Sequence, residues 1–140
     1  MAAANLNTIR AAIEGRIATE LASSPVIPVV FHNMAYEPTP ESNWCQCLVT
    51  FGENEYLTQG DSSNSDNLLM GVVVFNIFTP IGIGLGENLT IGKRIRDLYN
   101  RVTVSDVYFD APSGPNITIA SPEGFFQTQI TVTFETIENL

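Results

Sequence analysis

The sequence predicts an α+β domain, a mainly antiparallel β-sheet with two α-helices packed on one face. Three observations predict it. Two segments repeat apolar residues at three- and four-residue steps, as half-buried helices do. Several others alternate apolar with polar residues, as strands with one buried side do. The order is helix, strands, helix, strands, with no internal repeat or linker, and 140 residues suit a single domain.

Leu6, Ile9, Ile13, Ile17 and Leu21 form the apolar stripe of a helix predicted over residues 5–22. Ser23, Ser24 and Pro25 end it, because the residue before a proline is pushed out of helical geometry. Residues 26–31 read as a short strand, which Pro28 restricts to an edge or a strand end. The turn-rich stretch 32–43, with its prolines, reads as a surface connection. From 44 to 51, Trp44, Gln46, Leu48 and Thr50 face one side of a strand and Cys45, Cys47, Val49 and Phe51 the other. Residues 52–67 carry Glu53, Glu55, Asp61 and Asp66 with no positive charge, and predict a mobile loop or a protruding hairpin.

Residues 68–78, LLMGVVVFNIF, are nearly all apolar, as a central strand is. A second helix follows, with Ile91, Ile95, Leu98, Tyr99 and Val102 on one side and Lys93, Arg94, Asp97 and Arg101 roughly opposite, capped by Asn88 or Gly86. Strands are predicted over 102–109, 116–120 and 125–137. In the last, Ile130, Val132, Phe134 and Thr136 oppose Thr131, Thr133 and Glu135, and the residues 121–124 form a turn into it.

Charge narrows the function classes. The net charge is −9, which repels nucleic acid and anionic membranes. All six basic residues fall in the two helical segments: Arg10 and Arg16, then Lys93, Arg94, Arg96 and Arg101. That segregation fits acidic and basic surfaces meeting between subunits, and equally fits ordinary solvated helix faces. Charged residues are only 15% of the chain, against a usual ~25%. Cys45 and Cys47 read as buried thiols, and with one histidine the chain has too few ligands for a zinc site. The apolar run 68–78 is too short to span a bilayer, and MAAANLNTIR holds no apolar signal core, so synthesis in a reducing cytoplasm is the expectation.

The stretch TPIGIGLGENLT, residues 79–90, looks like a phosphate cradle and fails as one. Gly82 and Gly84 fit the first two places of a dinucleotide-binding turn, but Glu87 holds the third, where a carboxylate repels phosphate. The reading favoured instead is a backbone corner at Gly82, Gly84 and Gly86, turning the central strand into the second helix. His32 lacks an adjacent carboxylate except Glu37 and predicts no catalytic pair. The run from Asp61 to Asp66 lacks the glycine and the terminal glutamate of a calcium loop. No enzyme, cofactor or metal is expected.

Two stretches, HNMAYEPTPESNW (32–44) and MGVVVFNIFTPIGIGLGENLTIGKRIRDLY (70–99), resemble the small tail terminator proteins of long-tailed bacteriophages. With the helix before them and PEGFFQTQITVTFE after, the resemblance covers nearly the whole chain. It implies a structural protein of the virion that forms a ring, typically a hexamer, on the head-proximal end of the tail tube, made in the host cytoplasm. Its implied partners are other copies of itself, the tail tube protein and the neck or connector proteins, with duplex DNA passing through the lumen without specific binding. On that reading Met70, Val72, Val74, Phe75, Arg94 and Arg101 are expected at the subunit interface, and Glu53, Glu55, Tyr56, Asp61 and Asp66 toward the tube or neck. The competing expectations are another head–tail connector or head-completion protein, and a small nucleotide-binding domain built on Gly82 to Gly86.

Overall fold

The fold is described from a computed structural model, for residues 6–39, 41–56, 66–118 and 121–139. It has the element order α1 (Leu6–Leu21), β1 (Val29–Phe31), β2 (Trp44–Tyr56), β3 (Asp66–Pro80), α2 (Gly86–Tyr99), β4 (Thr103–Val104), β5 (Val107–Phe109), β6 (Ser113–Ile117) and β7 (Phe125–Asn139). One seven-stranded sheet runs in the order β1-β2-β3-β7-β5-β4, with β6 also on β7. The sheet is antiparallel except for β1, which runs parallel to β2. This is the α+β arrangement that the sequence predicts, and both helices lie on one face.

Strand periodicity dictates that layering. Cys45, Cys47, Val73, Phe75, Ile77, Ile130, Val132 and Phe134 share the helix face of the sheet. They form one core with Ile9, Ile13, Ile17 and Leu21 of α1 and Ile91, Ile95 and Tyr99 of α2. Leu6 extends the stripe in sequence but is 50% exposed, because the helix begins there. The helices run antiparallel. Tyr99 Oη donates to the Ile13 carbonyl at 2.6 Å, and Arg16 Nε donates to the Leu98 carbonyl at 2.8 Å. Burial pushes the Tyr99 phenol far above its ordinary value, so it stays a neutral donor.

On the opposite face no helix packs. Leu48, Val72, Val74 and Thr131 lie there half-buried. A ladder of amides crosses three strands: Asn76 Nδ2 donates to Gln46 Oε1, and Gln129 Nε2 donates to Asn76 Oδ1, each at 3.0 Å. Beside the ladder a smaller apolar cluster joins Val30, Trp44, Phe78 and Phe125. Trp44 stacks on Phe78 with ring centroids 3.9 Å apart.

Four local expectations change. The first strand shortens to Val29–Phe31, since Pro28 has no N–H to offer a ladder, although its carbonyl accepts from Cys45 N at 2.9 Å. The span 102–109 is not one strand. Ser105 and Asp106 both adopt positive φ (49° and 66°), which closes a two-residue hairpin between β4 and β5. Strand 116–120 is displaced to Ser113–Ile117. The polar stretch 52–67 is strand at both ends: Tyr56 pairs with Asn67 and Glu55 with Leu68, past an irregularity between Phe51 and Asn54. Its centre lies outside the described residues.

Both cysteines are buried and unbridged. Burial pushes the Cys45 thiol from the ordinary 9.0 up to about 12, and burial followed by the nearby Cys45 and Glu14 raises Cys47 as well. A thiol raised in the folded state contributes stability that is intact below pH 9.0, where the unfolded chain also keeps its proton. That contribution is lost as pH climbs toward 12, because only the unfolded chain releases protons there. Stability is therefore expected to fall between pH 9 and 11 in a Cys45→Ala-sensitive manner. Native protein at pH 8 is expected to resist a thiol reagent until denaturant is added, and rapid labelling without denaturant would contradict it.

Candidate functional site

The chain after β3 leaves the sheet through the glycine corner. Gly82 and Gly84 have φ of 93° and 83°, in the region that residues with a Cβ avoid. Among the described residues nothing lies within 4 Å of a Cβ built on either, so the backbone angle alone demands glycine. Gly86 is the first residue of α2. The Ile81 N–H donates to the Gly124 carbonyl at 3.2 Å, tying the corner to the turn before β7.

Asn88 does not cap α2, as the sequence had suggested; Leu85 holds the cap position without a side-chain hydrogen bond. Asn88 is instead fully buried inside the first turn. Its Nδ2 donates to the Ile77 carbonyl and to Thr79 Oγ1, both at 3.3 Å, while Thr128 Oγ1 donates to its Oδ1. A buried amide with every bond directed at β3 and β7 fixes where the helix starts, and so fixes the corner.

The residues expected at a subunit interface separate into two groups. Met70, Val72 and Val74 point to the face without helices, where they are half-buried. Phe75 points the other way, is fully buried, and packs against Tyr99 with centroids 5.1 Å apart. Its strand position opposes theirs, and its side chain serves the core.

The basic residues are largely committed within the chain. Arg94 Nη2 donates to the Glu20 carbonyl at 2.7 Å and its Nη1 to the Pro25 carbonyl at 2.8 Å, beside an ion pair with Glu20 at 3.3 Å. Arg94 thus ties the C-terminal end of α1 to the chain that follows it. Arg96 Nη1 donates to the Pro112 and Gly114 carbonyls at 2.9 and 2.6 Å. Arg10 pairs with Glu14 and Lys93 with Asp97, each at 2.8 Å. Among the described residues, Arg101 alone of the six has no hydrogen bond or ion pair. The surface left over is acidic.

Of the residues expected at the tube or neck, Glu55 is exposed at the far end of β2 and Asp66 opens β3. Tyr56 and Glu53 lie on the same end of β2, and Asp61 falls outside the described residues. β3 is 15 residues long, so at ~3.3 Å per residue this acidic end and the glycine corner stand roughly 45 Å apart.

Sequence reasoning missed the apolar side chains of the corner. Ile81, Ile83, Leu85 and Leu89 are 65%, 51%, 39% and 44% exposed. Pro80, Ile81, Leu85 and Phe126 line a groove of about 390 Å³ there, and a separate one of about 450 Å³ lies between Pro38, Glu41, Glu123 and Phe125. The signal was present as an apolar residue between each pair of glycines. Among the described residues no cluster of His, Cys, Asp or Glu is arranged to hold a metal, and no helix is long and apolar enough to cross a membrane.

Comparison with known proteins supplies the family. Among curated proteins, none matches this chain. A solved structure superposes with a TM-score of 0.71 at 17% identity, covering 94% of this chain and 95% of its own, a likeness of fold. The family model for phage tail terminator protein matches residues 8–107, from α1 through the corner and α2 to the start of β5. This chain belongs to the phage tail terminator proteins, a structural family of the virion tail.

Proposed function

We propose that the chain assembles into a closed ring, a hexamer, on the head-proximal end of the tail tube, where it ends tube growth and joins the tail to the neck. The family match over residues 8–107, from α1 through α2, carries this reading. The internal commitment of the basic side chains supports it. A ring around DNA must let the duplex slide, and a chain of net charge −9 whose cations bind its own carbonyls and carboxylates offers phosphate little to hold. Subunits meeting head to tail close into a ring when their rotation sums to a full turn, which gives each chain two different contact faces. The face carrying Met70, Val72 and Val74 is one candidate for such a contact.

Mass measurement of the protein alone and with purified tail tubes tests the reading. One ring per tube end is expected, together with arrest of tube elongation when the protein is added to polymerising tube subunits. Binding to filled heads but not to tubes would favour a connector or head-completion role instead.

A further inference from the structure

We propose that the glycine corner is the surface by which this protein seats on the tail tube, through an apolar patch rimmed with carboxylates. The proposal rests on the tube-capping reading above and names the surface that performs it. A cap takes the place of the polymer's own next layer. The tube end therefore presents the surface that elsewhere lies between stacked layers, and permanent interfaces of that kind are more apolar than ordinary protein surface. The seat on the cap must then be apolar too.

Ile81, Ile83, Leu85 and Leu89 meet that requirement: four large apolar side chains within nine residues, each at least 39% exposed. Ile81 and Leu85 share one groove with Phe126, and an exposed apolar cluster of this sort marks an interaction site. Its geometry is built in. Gly82 and Gly84 hold the turn, Asn88 anchors its far side in the core, and the groove of about 390 Å³ between Ile81, Leu85 and Phe126 has room for a partner's apolar side chain. The acidic end, roughly 45 Å away along β3, lacks such a surface among its described residues.

Charge selects the partner. Glu87 and Glu123 flank the patch: Glu123 precedes Gly124, whose carbonyl binds Ile81 N, and Glu87, between Leu85 and Leu89 in the chain, accepts from Asn43 Nδ2 at 3.2 Å. Neither is in an ion pair among the described residues. Their complement is an apolar surface carrying lysine or arginine at its margin. A second copy of this chain is a poor match. Five of its six basic groups are already engaged, and Arg101 lies just past the C-terminal end of α2, away from the corner. The occupant is the tail tube protein.

The test is co-sedimentation with assembled tubes of the cognate tube protein. An Ile81→Asp/Ile83→Asp double variant is expected to bind at least tenfold more weakly, with an unchanged thermal midpoint and unchanged self-assembly by mass, because both side chains already face solvent. Glu123→Lys is expected to weaken binding severalfold at low salt and less at high salt. Wild-type binding by the double variant overturns the proposal, as does loss of self-assembly along with loss of binding, which would make the corner a subunit contact. If Glu123→Lys leaves binding unchanged, the basic margin of the partner is wrong. Failure of the unaltered protein to bind tubes at all would instead overturn the capping reading, and this inference with it.

Discussion

Gly71→Ala is expected to destabilise the fold by about 2–3 kcal/mol, near the upper end for overpacking of a core. A Cβ at Gly71 would stand 2.3 Å from Phe134 Cζ and 2.7 Å from the Thr50 carbonyl oxygen. The ring of Phe134 lies across β3 where that side chain would be, held by Phe51 and Phe109 around it. The ring can be trimmed, but the carbonyl belongs to the neighbouring strand and cannot. Adding Phe134→Leu should therefore recover only part of the loss, a non-additivity that a double-mutant cycle measures. Gly15→Ala supplies the contrast: among the described residues nothing lies within 4 Å of a Cβ there, in the middle of α1, so stability should rise by about 0.5–1 kcal/mol. Denaturant unfolding that finds Gly71→Ala within about 0.5 kcal/mol of the parent, below the usual overpacking cost, would show that the strands part more easily than their packing implies.

Replacing Arg94 by methionine should cost about 2–3 kcal/mol, in the range of hydrogen bonds from charged donors. Its guanidinium joins the Glu20 and Pro25 carbonyls and the Glu20 carboxylate, so its removal frees the end of α1 and its connection to β1. Arg94→Lys should restore only the smaller part, since one ammonium cannot span the fork of acceptors. One position earlier, Lys93→Met should change stability by no more than about 0.5 kcal/mol, because its pair with Asp97 is exposed on both sides. Equal losses at 93 and 94 would refute this assignment. Within the chain the two arginines expected together between subunits differ: Arg94 is bound to Glu20 and Pro25, whereas Arg101 has no hydrogen bond or ion pair among the described residues.

Much of the architecture was legible because it follows from two periods. The four-residue steps from Ile9 to Leu21 gave α1, and the alternation of Ile130, Val132 and Phe134 gave the buried face of β7. Phe75 shows where legibility stopped. The apolar run around it concealed which residues alternate, so it was grouped with Val72 and Val74 although its position in the strand opposes theirs. The hairpin at Ser105 and Asp106 was hidden because neither residue is a glycine, yet both adopt positive φ. The roles of Arg16, Arg94 and Arg96 could not be read locally: their acceptors lie 16 to 82 residues away in sequence. At the corner, attention to the glycines obscured the isoleucines and leucines between them.

The amide ladder has a consequence for how the chain finds its pairing. Alternating hydrophobicity distinguishes a one-residue slip, which would turn every side chain to the wrong face, but it is blind to a slip of two. β2, β3 and β7 are long, and rich enough in valine, isoleucine and threonine for several such offsets to look alike. Asn76, 6% exposed and satisfied from Gln46 on one side and Gln129 on the other, breaks the degeneracy. A two-residue slip of β2 would set Trp44 or Leu48 opposite Asn76, neither with an oxygen to accept from its Nδ2, so the Gln46–Asn76 pair acts as the index mark that aligns β2 with β3.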